Sequence, residues 1–160
     1  MAEFLAKFLD FHMKKSGGQA GISDENLIKI IDEVLILFRI VEAKDIFEEF
    51  YQRGLCRRLL LKKSASYDSE KMMVLKLKTE CGDQFTTKVE GMLKDLTSSD
   101  NFMKEYIAVR GGKMLHQNID VDFHVLGSNC WPISQSVQCK IPKLLSGFQE
   151  DFEKYYKSRN

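Results

Sequence analysis

The residues in this sequence that could do chemistry are few, and their spacing limits them further. His12, His116 and His124 are scattered over a helical pattern, a loop and an alternating stretch, so no Ser/His/Asp or Cys/His constellation can be drawn from them. Cys56, Cys81, Cys130 and Cys139 match neither a CxxC pair nor a zinc ribbon, and read as reduced thiols of an intracellular protein. Cys56 lies beside two arginines that could lower its pKa, yet the apolar pattern around it reads as a buried structural thiol. Glu48-Glu49 and Glu150-Asp151-Glu153 fall opposite apolar stripes, as solvated faces do. Neither Gly17-Gly18 nor Gly111-Gly112 is followed by the Gly-Lys-Ser/Thr of a phosphate loop. Catalytic, metal-binding and cofactor-binding roles are therefore not expected.

What remains is charge. Residues 53 to 66 read RGLCRRLLLKKSAS, which sets Arg53, Arg57, Arg58, Lys62 and Lys63 around Leu59, Leu60 and Leu61 with no acid between Glu49 and Asp68. The whole chain carries a net charge of only +1, so this is a local concentration. Arg53 and Arg57 are one helical turn apart, as are Arg58 and Lys62, which predicts two cationic rows projecting outward while the leucines face inward. Three readings stay open on these residues. Cations near a helix C-terminus complement its partial negative charge, which accounts for Lys62 and Lys63 and poorly for Arg53. Rows of cations also steer an acidic polypeptide. A nucleic-acid surface would need stacking aromatics or base-reading side chains, and none is visible here.

The elements that must carry this stretch are mostly helices. With 160 residues, 44% hydrophobic and 29% charged, the chain is sized for one domain or slightly more and buries about two-thirds of its unfolded surface. Its longest wholly apolar run, Val34 to Phe38, is far below the roughly 18 residues of a membrane span. A first helical pattern places Leu5, Phe8, Leu9 and His12 on one side and is followed by a Gly-rich break at 16–21. Ser23 or Asp24 caps the next helix, which is apolar over most of its circumference and so expected in the middle of a bundle. A third helix ends near Lys63, a fourth opens at Asp68 or Ser69 and closes at Gly82, and a fifth and sixth flank Thr97 to Asp100. Beyond Gly112 the period falls to two: Ile119, Val121, Phe123 and Val125 alternate with polar neighbours, predicting one half-buried strand over about 119–126. Trp131-Pro132 ends it, and Pro142 opens a last helix over about 142–157. The start at Met1 directly in a helical pattern and the end at Asn160 after another are read as marks of a piece of a longer chain.

From Phe38 to Leu96 a run of short motifs occurs in fixed order: KDIFEEFY, CRRLL, SASYDSE, KLKTECG and FTTKVEGMLKD. Together they resemble the cullin family, whose patterns are KDxFxxxY, A-(K/R)-R-L-L, SxSxDxE, KLKxECG and an FT-(S/T)-K-(L/V)-EGM-x-x-D helix. The later VDFHVLGSNCWP and FQEDFEKYYKSRN are similar to the family's strand ending in Trp-Pro and its following helix. The resemblance implies a mainly α fold: a helical bundle over 1–112, then at 113–160 one strand and one helix that begin a truncated α/β subdomain. It implies a non-catalytic scaffold of a multisubunit ubiquitin ligase, cytoplasmic and nuclear, with no membrane or nucleic-acid partner. Its implied partners are a RING-box protein that adds a strand beside Ile119, Val121, Phe123 and Val125, a ubiquitin-conjugating enzyme whose acidic tail meets the basic groove, and a cullin-associated exchange factor. Arg57 and Arg58 carry the groove over directly, with Lys62 and Lys63 by proximity, and Arg53 is counted among the groove's cations. Gly54 and Cys56 depart from the family pattern, and Gly54 inside a helix should cost about 1 kcal/mol. The family's N-terminal repeats and its modifier-accepting lysine have no counterpart in these residues.

Overall fold

The computed structural model describes residues 1–15, 23–110, 119, 121–133 and 140–159. Six helices are formed by them: α1 (Ala2–His12), α2 (Asp24–Ile40), α3 (Lys44–Leu60), α4 (Tyr67–Cys81), α5 (Asp83–Arg110) and α6 (Lys143–Arg159). Two compact units result, one from Met1–Leu93 with Gly127–Pro132, the other from Lys94–Leu126 with Ile133–Asn160. Their boundary lies within α5. The division expected near residue 112 lies outside the described residues.

In the first unit the spacing of apolar residues decides which face each helix buries. Ala2, Leu5, Ala6 and Leu9 turn inward from α1, while Phe4, Phe8 and Phe11 face out, so Phe8 is not on the inner side the spacing predicted. Ser23 caps α2 by accepting from the Asn26 N–H at 3.4 Å. That helix buries Leu27, Ile31, Val34, Leu35 and Phe38 on one face and leaves Ile36, Leu37 and Ile40 exposed, so it is not enclosed on all sides as its composition suggested. Phe38 meets Phe47 at 4.7 Å and Phe85 at 5.9 Å between ring centroids. Ser66 caps α4, and Gly82 closes it at φ 83°, donating to the Lys78 carbonyl at 2.8 Å. Two features hold the 127–132 segment in this unit: the Gln52 amide donates to the Cys130 carbonyl at 2.7 Å, and Gly91 leaves the space that Cys130 occupies. Trp131 is buried in the same unit.

In the second unit Met103, Tyr106, Phe152 and Tyr155 form the core, with Phe102, Phe123 and Val125 packed against it. Phe123 stacks on Phe152 at 4.3 Å, and the Tyr106 hydroxyl donates to Asp151 at 2.8 Å. Two expectations are corrected here. Thr97 to Asp100 is not a break: α5 continues through it, because Ser99 uses its hydroxyl on another segment and not as a cap. The strand expected over 119–126 is not formed among the described residues. A strand needs a ladder, and Val125 instead gives its N–H to the Ser99 Oγ at 2.9 Å and receives the Ser99 O–H at 3.0 Å. The two-residue alternation survives as sidedness, since Phe123 and Val125 pack inward while Asp122 stays exposed. The described residues are thus mainly helical, without the strand.

Candidate functional site

The cationic stretch occupies the second half of α3 and the turn that ends it. Lys62 adopts φ 54°, its N–H donates to the Leu59 carbonyl at 3.1 Å, and the Lys63 N–H donates to the Arg58 carbonyl at 2.8 Å. This pair of bonds is a Schellman closure with a lysine in the left-handed position usually given to glycine.

Arg58 does not project. Its guanidinium is fully buried and donates through Nε to Glu70 Oε1 at 2.6 Å and through Nη2 to Glu70 Oε2 at 2.8 Å. Its remaining nitrogen, Nη1, reaches Asp10 Oδ1 at 2.5 Å. Arg58 therefore joins α3 to both α4 and α1 and leaves the outward row. The helix period put it one position past Arg57, which is enough to turn it from solvent to the interior. Burial acts to lower its pKa, but the Glu70 carboxylate, by charge and hydrogen bond, with Tyr51 and Asp10 behind it, raises it above the ordinary guanidinium value. Tyr51, whose ring lies 5.8 Å from the guanidinium, has its phenol pushed up first by burial and then by Glu70. Ser64 donates to Glu70 Oε1 at 2.9 Å, so in SASYDSE Ser64 holds the acid, Ser66 caps the helix and Glu70 takes the arginine.

Gly54 has its reason in the same cluster. A Cβ at that position would stand 2.8 Å from Asp10 Oδ1 and 3.2 Å from Arg58 Nη1. Cys56 is buried, and burial raises its thiol pKa more than Arg57 lowers it, so it is not an activated nucleophile.

The other cations stay at the surface. Arg53 is exposed and pairs with Glu49 at 2.6 Å. Arg57, Lys62 and Lys63 are exposed at the end of α3, and Arg57 and Lys63 have no carboxylate in ion-pair range among the described residues. Sequence reasoning missed what lies beside them. The backbone leaving α1 runs antiparallel to the backbone leaving α3: Lys15 N–H donates to the Lys63 carbonyl at 2.9 Å, Ala65 N–H to the Met13 carbonyl at 2.8 Å, and Lys14 bridges Ser64. No local signal pairs positions this far apart. The twelve-residue step from Arg58 to Glu70 and the acid at Asp10 were equally invisible to periodicity.

The second candidate set is divided in role. Phe123 and Val125 belong to the core of the second unit, while Ile119 and Val121 are partly exposed. His124 stands 3.7 Å from Asp122, and His12 stacks edge-on against Phe8 and Phe11. Among the described residues no three His, Cys, Asp or Glu side chains converge to hold a metal, and no helix is long and apolar enough to cross a membrane.

Comparison with known proteins places this arrangement in a family. Residues 1–103 match the family model described as the cullin alpha solenoid domain. Cullin-4 of Dictyostelium discoideum is 41% identical over 161 residues, covering 99% of this chain and 20% of that protein. Cullin-3 of the same organism is 39% identical over 158 residues, again 99% and 20%. Cullin-4A of Mus musculus is 38% identical over 155 residues, covering 97% of this chain and 20% of that protein. The chain thus spans 20% of the length of these relatives.

Proposed function

The chain belongs to the cullin family, and from that premise we propose that it is part of a non-catalytic scaffold for ubiquitin transfer, holding a RING-box protein and a ubiquitin-conjugating enzyme. The observation that carries this reading is the run of cullin motifs together with the exposed cations Arg53, Arg57, Lys62 and Lys63 on one helix end. Leucines of α3 hold the helix in place, and these cations attract the acidic tail of the conjugating enzyme through steering that weakens with salt. Arg58 serves from inside, as the tie that fixes this helix end. The nucleic-acid reading has lost one of its five cations to the interior and has nothing else in its favour.

For the RING-box protein, a strand added by backbone pairing beside 119–126 is the proposed mode. Successive residues of a strand offer their backbone groups to opposite edges. With the groups of Val125 taken by Ser99, the edge left to the partner is that of Asp122, His124 and Leu126, while Phe123 and Val125 keep their side chains in the core. A cullin-associated exchange factor is a further partner on family grounds. Native purification of the protein in its full cellular form tests the scaffold reading: a RING-box protein should co-purify, and its absence would sink the reading. For the groove, Arg57→Glu combined with Lys63→Glu should slow ubiquitin-chain formation in the assembled ligase, most at low salt; an unchanged rate at every ionic strength would reject it.

A further inference from the structure

The antiparallel pairing at the ends of α1 and α3 has two sides, and its side chains divide between them. Lys14 is bridged to Ser64, which puts Lys15 directly opposite Lys63. Residues opposite each other in such a pair leave on the same side, and neighbours along each segment leave on opposite sides. The inner side is occupied as this rule requires: Lys14 pairs with Asp10, and Ser64 donates to Glu70 at 2.9 Å, both ending in the buried Arg58 cluster. Lys15 and Lys63 therefore share the outer side. Both are exposed, and neither has a carboxylate in ion-pair range among the described residues. Like charges directly opposite in a pair, about 5 Å apart at Cβ, repel and destabilise it. The repulsion is held in place by the two flanking backbone bonds and by the inner-side ion pairs beneath it.

We propose that Lys15 and Lys63 form a two-cation pincer for a carboxylate of an acidic peptide, extending the surface of Arg57 onto the segment that follows α1. This inference rests on the reading of that surface as an acidic-protein site and adds a residue from outside the cationic stretch. A carboxylate seated between the two ammonium groups relieves their repulsion, so the peptide gains from both charges at once. A competing explanation is that Lys15 only compensates the negative end of α1. The two differ in what reversing the charge does to the free protein: a Glu opposite Lys63 turns repulsion into attraction, whereas a Glu at a helix C-terminus is unfavourable.

The test uses the complete chain and a Glu/Asp-rich peptide as probe, with duplex DNA and single-stranded RNA as parallel probes. Lys15→Glu should leave the melting temperature unchanged or higher and weaken peptide binding about threefold to tenfold at low salt. The difference should vanish near 1 M salt, where the screening length is about 3 Å. Lys154→Glu on α6 controls for net charge and should bind as the parent does. Loss of melting temperature with peptide binding intact would overturn the pincer in favour of helix-end compensation. If Arg57→Glu and Lys63→Glu weaken binding while Lys15→Glu does not, the pincer fails and the surface reading stands. If none of the three weakens it, or if only the nucleic acids bind, both fail.

Discussion

Arg58 on α3 and Glu70 on α4 meet as a fully buried fork, with Nε to Oε1 at 2.6 Å and Nη2 to Oε2 at 2.8 Å. Two parallel bonds between planar groups fix the relative setting of the helices in a way a single contact would not. Removing one partner strands a charge in the interior. Arg58→Met or Glu70→Leu alone should cost about 3–5 kcal/mol, whereas the two together, which leave neither charge, should recover most of it. Urea denaturation of the three variants checks this, and a double variant whose loss equals the sum of the two single losses would show that the pair is not coupled. Arg58→Lys should also fail to restore stability, because an ammonium cannot reproduce the fork.

Gly54 sets two effects against each other. Alanine is the better helix former by about 1 kcal/mol. Its Cβ, however, would stand 2.8 Å from Asp10 Oδ1, in a carboxylate held through Oδ1 by Arg58 and through Oδ2 by Lys14 and so unable to swing away at no cost. Gly54→Ala should therefore destabilise the protein by about 1 kcal/mol, since crowding of this kind usually costs about 1–3. In an Asp10→Ala background the two nearest atoms are gone, leaving Arg58 Nη1 at 3.2 Å at the end of a flexible side chain, and the same change should stabilise. Thermal melts of the four combinations decide the matter: a stabilising Gly54→Ala in the otherwise unchanged protein contradicts the packing argument.

Gly91 occupies a similar place beside Cys130. A Cβ there would collide with Cys130 Sγ and lie 3.2 Å from its Cβ, and the segment it pushes on is tied down by Gln52. Gly91→Ala should cost about 1–3 kcal/mol, and Cys130→Gly, which removes both clashing atoms, should return part of it. Melting temperatures measure both, and a cost that Cys130→Gly leaves untouched would place the strain elsewhere.

Helix number and order up to α5 were legible because each helix carries its own periodicity and end signals: Ser23, Ser66 and Gly82 mark termini without help from the rest of the chain. The direction of Arg58 was not legible. A cation beside Arg57 and above leucines has the local marks of a solvated row, and only Glu70 and Asp10, brought by other helices, make its interior position affordable. Ser99 shows the same limit. Thr-Ser-Ser-Asp has the composition of a cap, and the hydroxyl's use at Val125 depends on a segment 26 residues away. Lys15 became a neighbour of Lys63 through backbone bonds alone, which leave no trace in side-chain spacing.

The exposed fork of Arg39 on Glu80 gives a pH signature. Arg39 Nη2 donates to Glu80 Oε1 at 2.6 Å, and this hydrogen bond, followed by the guanidinium charge and opposed by burial, holds the Glu80 carboxyl below its ordinary value of 4.5. A carboxyl depressed on folding adds stability that is present above its unfolded pKa and lost as pH falls through the folded one. Glu80→Gln should thus lower the melting temperature slightly near pH 7, and the gap from the parent should close in the acid range below 4.5. A gap that persists unchanged to the acid limit would mean that the pair contributes through packing and not through charge.

Ser99 and Val125 give the sharpest measurement on the segment that forms no ladder. With its N–H on the Ser99 hydroxyl at 2.9 Å, Val125 should exchange its amide hydrogen more slowly than Phe123 and His124, whose amides have no such partner among the described residues. Ser99→Ala removes the acceptor and leaves a partly buried N–H and C=O unpaired, at a cost of about 1–3 kcal/mol. Val125 exchange should then accelerate at least tenfold and fall in line with its neighbours, while Phe123, stacked on Phe152 and edge-on to Tyr106, limits how far the segment can move. If a RING-box strand pairs along the opposite edge as proposed, its addition should slow His124 and not Val125 in the parent protein. Protection of Val125 that survives Ser99→Ala in a demonstrated monomer would show that something other than this hydroxyl holds the segment.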